Sequence, residues 1–224
     1  MRAPLSIIIP TLNAAASLPE ALHALIEGLE ADLLREVILS DGGSTDGTQP
    51  LGEEAGCLWV QGAAGRGGQL LRGAEAAQGE WLLFLHADTV LSAGWAAAVQ
   101  AHINSGQGAG YFRLAFDAQG LAPRWVAGWA NLRARLFGLP YGDQGLLISR
   151  ELYDAVGGYA DMPLMEDVAM ARALRGRLRM LPVVARTSAA RYQQAGWLRQ
   201  GARNLWRLLR YLAGGDPARL RRGY

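Results

Sequence analysis

Residues 81–85, Trp-Leu-Leu-Phe-Leu, form an unbroken apolar run that stops at His86-Ala87-Asp88-Thr89. Preceded by Gly79-Glu80 and ended by polar residues, such a run reads as a strand buried on both faces, as in a parallel sheet. Ligands of open parallel sheets sit in the crevice at the carboxyl ends of the strands. Alternation along an extended backbone puts the His86 and Asp88 side chains on one side, where both reach one metal ion. The plainer reading is a strand followed by a polar turn.

The surrounding chain supplies the rest of an α/β layout. Residues 5–9, 36–40 and 58–60 read as strands. Ser17-Leu18-Pro19-Glu20 fits a capping box, followed by an apolar helix face of Leu18, Leu22, Leu25, Ile26 and Leu29. Further helices are expected up to Glu54, from Gln69 to about Gln78, and from a Ser92 cap to Ile103. This alternation indicates a parallel sheet between helices. Beyond it, residues 110–116 and 145–149 read as strands, 125–137 as an aromatic, Arg-containing helix, and 150–156 and 165 to about 174 as shorter helices. Residues 181–185 are expected at a sheet edge, because Pro182 has no amide proton for a ladder.

Composition narrows the class. Half of the 224 residues are hydrophobic, which argues against disorder. No apolar run reaches a membrane-spanning length, and the first residues show no signal-peptide cleavage pattern, so a cytoplasmic place is expected. The single cysteine, Cys57, excludes an internal disulfide and a cysteine-rich zinc site. Charge is lopsided: residues 186–224 hold nine Arg against Asp216 alone, while the whole chain is only +2. We therefore expect a main domain over residues 1–185 and a basic, amphipathic helical tail over 186–224. In the tail, Leu198, Leu205, Trp206, Leu208, Leu209 and Leu212 share one face, with Arg199, Arg203, Arg207 and Arg210 on another. This pattern suits a helix packed on the domain, or one resting on an anionic membrane.

Four groups of residues carry candidate chemistry. Asp41 stands at a strand tip and can accept from a base or ribose, whereas Asp46 also suits a helix cap. Gly65-Arg66-Gly67-Gly68-Gln69 lets backbone and a guanidinium approach a phosphate, without the spacing of a phosphate-binding loop or dinucleotide fingerprint. Asp88 is a hard oxygen ligand for Mg²⁺ or Mn²⁺, and an imidazole at His86 favours Mn²⁺. Glu166-Asp167 opens a helix, where the macrodipole favours acids, after a flexible stretch that includes Tyr141-Gly142-Asp143-Gln144-Gly145. Asp167 is the best-placed general base.

In order along the chain, Ser6-Ile7-Ile8-Ile9-Pro10-Thr11-Leu12-Asn13, Asp41-Gly42-Gly43-Ser44-Thr45-Asp46-Gly47-Thr48, His86-Ala87-Asp88-Thr89 and Glu166-Asp167 resemble family 2 glycosyltransferases with the GT-A fold. The likeness spans roughly residues 4–180. Gly65-Arg66 with Gln69, Leu85-His86-Ala87-Asp88-Thr89 and Tyr141-Gly142-Asp143-Gln144-Gly145 are similar to a small bacterial subgroup associated with arsenosugar biosynthesis.

The resemblance implies an inverting transfer from a nucleotide-diphosphate sugar to a hydroxyl acceptor, assisted by divalent Mn²⁺ or Mg²⁺. It implies that Pro10, Thr11, Asn13, Asp41, Gly43, Ser44, Arg66, Gln69, His86, Ala87 and Asp88 line the donor side. Tyr141, Gly142, Asp143 and Gln144 would face the acceptor. Asp88, with His86 as a second candidate, would hold the metal; Asp167 would be the base and Glu166 its neighbour. The chain departs from the family at His86, where many members carry a carboxylate, at Gly42, where many carry Asp, and at Leu71, where the subgroup often has Asn. It also has no His after His102. Other readings are a nucleotidyltransferase, whose glycine- and base-rich N-terminal loop is not apparent, and a catalytically silent nucleotide-sugar-binding or membrane-surface protein. Nucleic acid is not an expected partner.

Overall fold

The computed structural model describes residues 3–221, so Met1, Arg2 and the end of the basic tail at 222–224 lie outside the described residues. The apolar runs form the centre of an eight-stranded sheet in the order β3-β2-β1-β4-β7-β6-β8-β5. β1 (Leu5–Thr11) lies between β2 (Leu34–Asp41) and β4 (Trp81–Phe84), parallel to both, and β3 (Leu58–Gln61) extends the parallel half. On the other side of β4, β7 (Leu146–Ser149) runs antiparallel. Then come β6 (Ala109–Phe116), β8 (Leu178–Thr187) and β5 (Thr89–Leu91).

Alternation along β1 supplies both faces. Ile7 and Ile9 join Leu39, Leu83 and Phe112 beneath α1 (Leu18–Glu30) and α4 (Trp95–Ser105). Ile8 joins Ile38, Leu82 and Phe84 beneath α3 (Arg66–Ala76), α6 (Arg150–Ala155) and α7 (Glu166–Ala173). Each fully buried side chain of this size contributes about 1.5–3 kcal/mol. Helix α2 (Thr48–Glu54) follows β2. Helix α5 (Leu121–Phe137) packs on β6, and α8 (Ala190–Ala195), α9 (Trp197–Leu212) and α10 (Pro217–Arg221) end the described chain.

Several local expectations change. β4 ends at Phe84 and 87–88 are a turn, closed by the Thr89 amide donating to the His86 carbonyl at 3.1 Å, so His86 and Asp88 share a turn rather than an extended strand. The Ser17–Glu20 capping box does not form: Ser17 Oγ donates to the Ala14 carbonyl, and Glu20 pairs with Arg186 at 2.7 Å. Ser92 is no helix cap either; it exchanges hydrogen bonds with Val184 in β8, and α4 begins after Gly94.

β8 is not an edge. It lies between β6 and β5, and Pro182 falls in an irregularity between the Tyr111–Met180 and Arg113–Val184 pairs, where no ladder amide is required. The expected division after residue 185 falls inside this strand. In α9 only Arg207 and Leu208 are buried. Cys57 is half-buried against the core, and burial pushes its thiol up to about 11, consistent with a packing role.

Helix α3 carries the glycine-rich turn onto the sheet. A Cβ at Gly73 would lie 2.4 Å from Ile8 Cγ2, so this glycine sets the helix-to-sheet distance. We expect Gly73→Leu to destabilise the protein by about 1–3 kcal/mol through overpacking. Thermal unfolding would show this as a loss of several degrees, and an unchanged melting temperature would contradict the close contact.

Candidate functional site

The carboxyl ends of β1 and β2 are tied together by one buried carboxylate. Asp41 Oδ1 accepts from Thr11 Oγ1 at 3.0 Å and Ser44 Oγ at 2.5 Å; Oδ2 accepts from the Gly43 and Ser44 amides at 2.6 and 2.7 Å. Burial acts to raise this carboxyl, but the Ser44, Gly43 and Thr11 bonds outweigh it and hold Asp41 below the usual range. Gly43 takes φ +96°, a left-handed conformation that favours glycine. Asn13 joins the two loops: its amide donates to Ser44 Oγ at 2.8 Å, and its Oδ1 accepts from the Thr45 amide at 2.9 Å.

Gln69 completes the platform from α3. Its Nε2 donates to the carbonyls of Thr11 and Ser40 at 2.7 and 2.9 Å. Pro10, facing Ser40 in the ladder, is part of the same platform. Asp46 is engaged structurally: it accepts from the Ala15 and Thr48 amides at 3.0 Å each and from the Thr48 hydroxyl, ahead of α2.

The glycine-rich turn is shaped by protein contacts. A Cβ on Gly67 would lie 2.4 Å from the Ala160 carbonyl oxygen, and one on Gly68 would lie 2.7 Å from Asp161 Oδ1. Those two glycines therefore admit the 160–162 segment rather than leaving room for a phosphate. Arg66 points to the same region, with Nη1 3.6 Å from Glu166 Oε1. Met165, at φ 68°, is a non-glycine residue in the left-handed region immediately before α7. It is buried among Leu139, Val168 and Leu208, packing that can hold a strained residue and fix where Glu166 and Asp167 emerge.

Residues 141–144 form a loop that meets the end of β4, β6, α5 and the start of α7. The Gly142 amide donates to Asp167 Oδ2 at 3.0 Å, and a Cβ on Gly142 would lie 2.6 Å from His86 Nε2. The loop thus sits between the end of β4 and the start of α7. The Arg133 guanidinium lies 3.5 Å from the centre of the Tyr141 ring; burial, partly opposed by Arg133, pushes the Tyr141 hydroxyl up to about 12. Gln144 lies fully buried beneath the loop rather than on an acceptor-facing surface, donating to the Phe112 carbonyl and Asn131 Oδ1 at 3.2 and 3.3 Å.

Asp143 is half-buried, and its Oδ1 is shut off from solvent and unpartnered among the described residues. Burial pushes its carboxyl up to about 6; the Asp167 and Asp88 charges add to this, while Arg133 and Arg66 oppose it. Burial, then Asp167, also raises the Glu166 carboxyl, against the pull of Arg66. His86 is held well below its usual range by burial and by Arg66 and Arg191, so its imidazole is neutral.

A divalent cation fits part of this arrangement. Asp88 is half-buried, its carboxylate met among the described residues by Thr187 Oγ1 at a long 3.5 Å, and Asp143 offers a buried oxygen, unpartnered among the same residues, on a carboxyl that senses the Asp88 charge. Among the described residues no three His, Cys, Asp or Glu side chains make a ready cage. One or two carboxylates suit a cation whose other ligands are phosphate oxygens and water. His86 Nε2, buried without a partner and facing Gly142, is placed to pack the loop.

Arg133, Asn131, Arg191 and Thr187 were not expected at the site. Arg133 left a trace in the sequence, since it shares the inward stripe of α5 with Val126, Ala130 and Ala134, where a charge needs a reason to be.

The glycosyl transferase family 2 model matches residues 6–152. PGL/p-HBAD biosynthesis glycosyltransferases of Mycobacterium bovis and Mycobacterium tuberculosis are 34% identical over 171 residues, covering 71% of this chain and 64% of theirs. The chain therefore spans somewhat under two thirds of the length of those relatives. Among solved structures, S. aureus TarS 1-349 in complex with UDP superposes with a TM-score of 0.63 at 18% identity, covering 85% of this chain and 62% of that one. Glucosyl-3-phosphoglycerate synthase from M. tuberculosis, in complex with Mn2+, UDP and glucosyl-3-phosphoglycerate, gives 0.56 at 20% identity, covering 83% and 70%. At these identities the two structures speak for the fold alone, which is the GT-A fold.

The Asp143 environment predicts a pH dependence. An unfolded Asp titrates near 3.9, whereas the folded group titrates at about 6. Between these values the native state binds a proton that the unfolded state does not, so ionising Asp143 costs stability progressively up to pH 6 and fully above it. In metal-free buffer, Asp143→Asn should stabilise the protein by on the order of 1–3 kcal/mol above pH 7, with no difference below pH 4. Melting curves across pH would check both ends.

Proposed function

The chain belongs to glycosyl transferase family 2, and from that premise we propose that it transfers a sugar from a nucleotide-diphosphate donor to a hydroxyl acceptor, with inversion at the anomeric carbon. The observation that carries this reading is the meeting of the Asp88 turn, the 141–144 loop and Asp167 next to the Asp41 platform at the carboxyl end of the parallel strands.

In this reading Asp167 accepts the acceptor proton as its oxygen attacks the anomeric carbon. The bond from that carbon to the diphosphate oxygen breaks, and the nucleoside diphosphate leaves with the electron pair. Asp167 Oδ2 also receives the Gly142 amide, so the same carboxylate aligns the loop. Glu166 and Arg66 keep α7 and α3 in register around it. A divalent cation at Asp88, when bound, would neutralise the diphosphate. The Asp41 platform would border the nucleobase and ribose: its carboxylate shapes the two loops, and the exposed Asn13 and Gly43 form their outer surface.

UDP is the donor nucleotide we favour and Mn²⁺ the metal, because TarS and glucosyl-3-phosphoglycerate synthase both carry UDP and the latter also carries Mn²⁺. No helix of the described residues is long and apolar enough to cross a membrane. We place the protein in the cytoplasm, with α9 touching the anionic inner face of the membrane. The lone, half-buried Cys57 suits a reducing compartment.

Transfer and donor hydrolysis should be measured over a panel of nucleotide sugars, with and without Mn²⁺. Asp88→Asn should weaken Mn²⁺-dependent UDP binding at least about tenfold in calorimetry, the scale of losing one charged ligand contact. Asp167→Asn should keep UDP affinity and lower turnover by about 10²-fold or more. Turnover near native in the second variant, or no donor turned over by the native protein, would remove the proposal.

A further inference from the structure

The described residues expose sixteen large hydrophobic side chains, and eleven of them lie on α5 and α9. On α5 these are Leu121, Trp125, Trp129, Leu132, Leu136 and Phe137, exposed by 45–83%. Their spacing of three or four residues makes an outward stripe, while Val126, Ala127, Ala130 and Ala134 fill the inward side. The helix is thus apolar on both sides, the pattern of a buried helix, although its outward side stays exposed among the described residues. On α9, which packs against α5, Leu198, Leu205, Trp206, Leu209 and Leu212 stand exposed.

Charge identifies the occupant. Neither helix contains Asp or Glu; together they carry seven Arg, of which Arg124, Arg135, Arg199, Arg203 and Arg210 are exposed. A second copy placed on this face would set those arginines against their own kind, which opposes self-association. Tryptophan, leucine and phenylalanine beside exposed arginine match the boundary between headgroups and acyl chains of an anionic bilayer. Next to this face, Arg203, Arg207, Arg210 and Arg219 with Trp206 line a cavity of about 560 Å³, ample for a phosphate headgroup.

We propose that α5 and α9 together form a docking surface for an anionic lipid bilayer, with the outward stripe of α5 entering the headgroup–acyl boundary. This extends the α9 contact proposed above and makes α5 the principal inserting element. It leans on the glycosyl-transfer reading only for its consequence, the acceptor class. The inward side of α5 supplies Arg133 and Asn131 to the 141–144 loop, and Leu208 of α9 packs on Met165 and Val168 beside Asp167. The surface therefore adjoins the acceptor side, and the acceptor it selects is an amphiphile, a lipid or lipid-linked molecule presenting a hydroxyl at the membrane surface.

The test is co-sedimentation of the full chain with vesicles of phosphatidylcholine, alone or mixed with phosphatidylglycerol, at low and high salt. Binding to the mixed vesicles at low salt is expected, with tryptophan emission quenched by brominated acyl chains. Trp125→Ser combined with Leu132→Ser and Leu136→Ser should weaken binding by at least about tenfold, since three inserted side chains are lost. All three are exposed, so the melting temperature should stay near native. Arg124→Gln with Arg135→Gln should weaken binding and flatten its salt dependence.

Absence of binding at low salt overturns the proposal. So does native binding by the α5 variants alongside loss in Arg203→Gln/Arg210→Gln, which would leave α9 as the sole contact. Sedimentation velocity showing self-association that the α5 substitutions abolish would assign the face to a second copy instead. Donor hydrolysis without vesicles reports on the catalytic reading independently of each outcome.

Discussion

The cost of taking charge out of water governs the carboxyl edge of this sheet. Asp41 is fully buried and Asp143 is half-buried with one carboxyl oxygen shut off from solvent, and their surroundings differ. Asp41 accepts four hydrogen bonds and its carboxyl is held below the usual range. Asp143 keeps an unpartnered oxygen and is pushed up. A saturated carboxylate organises structure; an unsatisfied one beside two further acids retains capacity for a cation or a proton. The same reasoning separates Glu166, paired with Arg66, from Asp167, whose carboxylate meets the loop backbone at the cleft.

Much of the parallel half was legible because burial on both faces leaves a direct signature. The runs of β1, β2 and β4 have no polar alternation, and they fall where the sequence placed them. The strands beyond β7 were less readable, since their positions depend on partners distant in sequence. Three-residue β5 exists because β8 offers it a ladder, and β8 tolerates Pro182 inside the sheet because the ladder with β6 slips at that point. The failed capping box has the same origin: Glu20 found Arg186 across 166 residues, which local spacing cannot reveal.

The candidate site was legible as a set of residues more than as a set of roles. The strand-end argument placed Asp41 and Asp88 at one edge, and the family resemblance added residues 141–144 and Asp167. What could not be read was which polar atoms would be satisfied within the protein. Gly67 and Gly68 looked like room for a phosphate; Gly67 is room for the 160–162 backbone and Gly68 for the Asp161 side chain. Gln144 looked acceptor-facing and is a buried clamp. Arg133 supplies charge to the loop from a helix whose arginines spacing alone does not assign to a partner, so its role appears only once that helix is docked.

Helix α5 joins these themes because its two sides answer to different solvents. Inward, Asn131 exchanges hydrogen bonds with the Leu114 backbone and accepts from Gln144, and Arg133 donates to the Leu139 carbonyl. These directional bonds fix the helix against β6 and the loop. Outward, the stripe from Leu121 to Leu136 makes no comparable commitment and exposes apolar surface to water. Natural surfaces rarely leave a patch of this kind without use. Because the inward contacts are hydrogen bonds to backbone and buried amides, the outward side chains are free to meet a softer, apolar phase without disturbing the loop that they adjoin. Structural restraint at the site and freedom at the surface are thus carried by opposite sides of one helix.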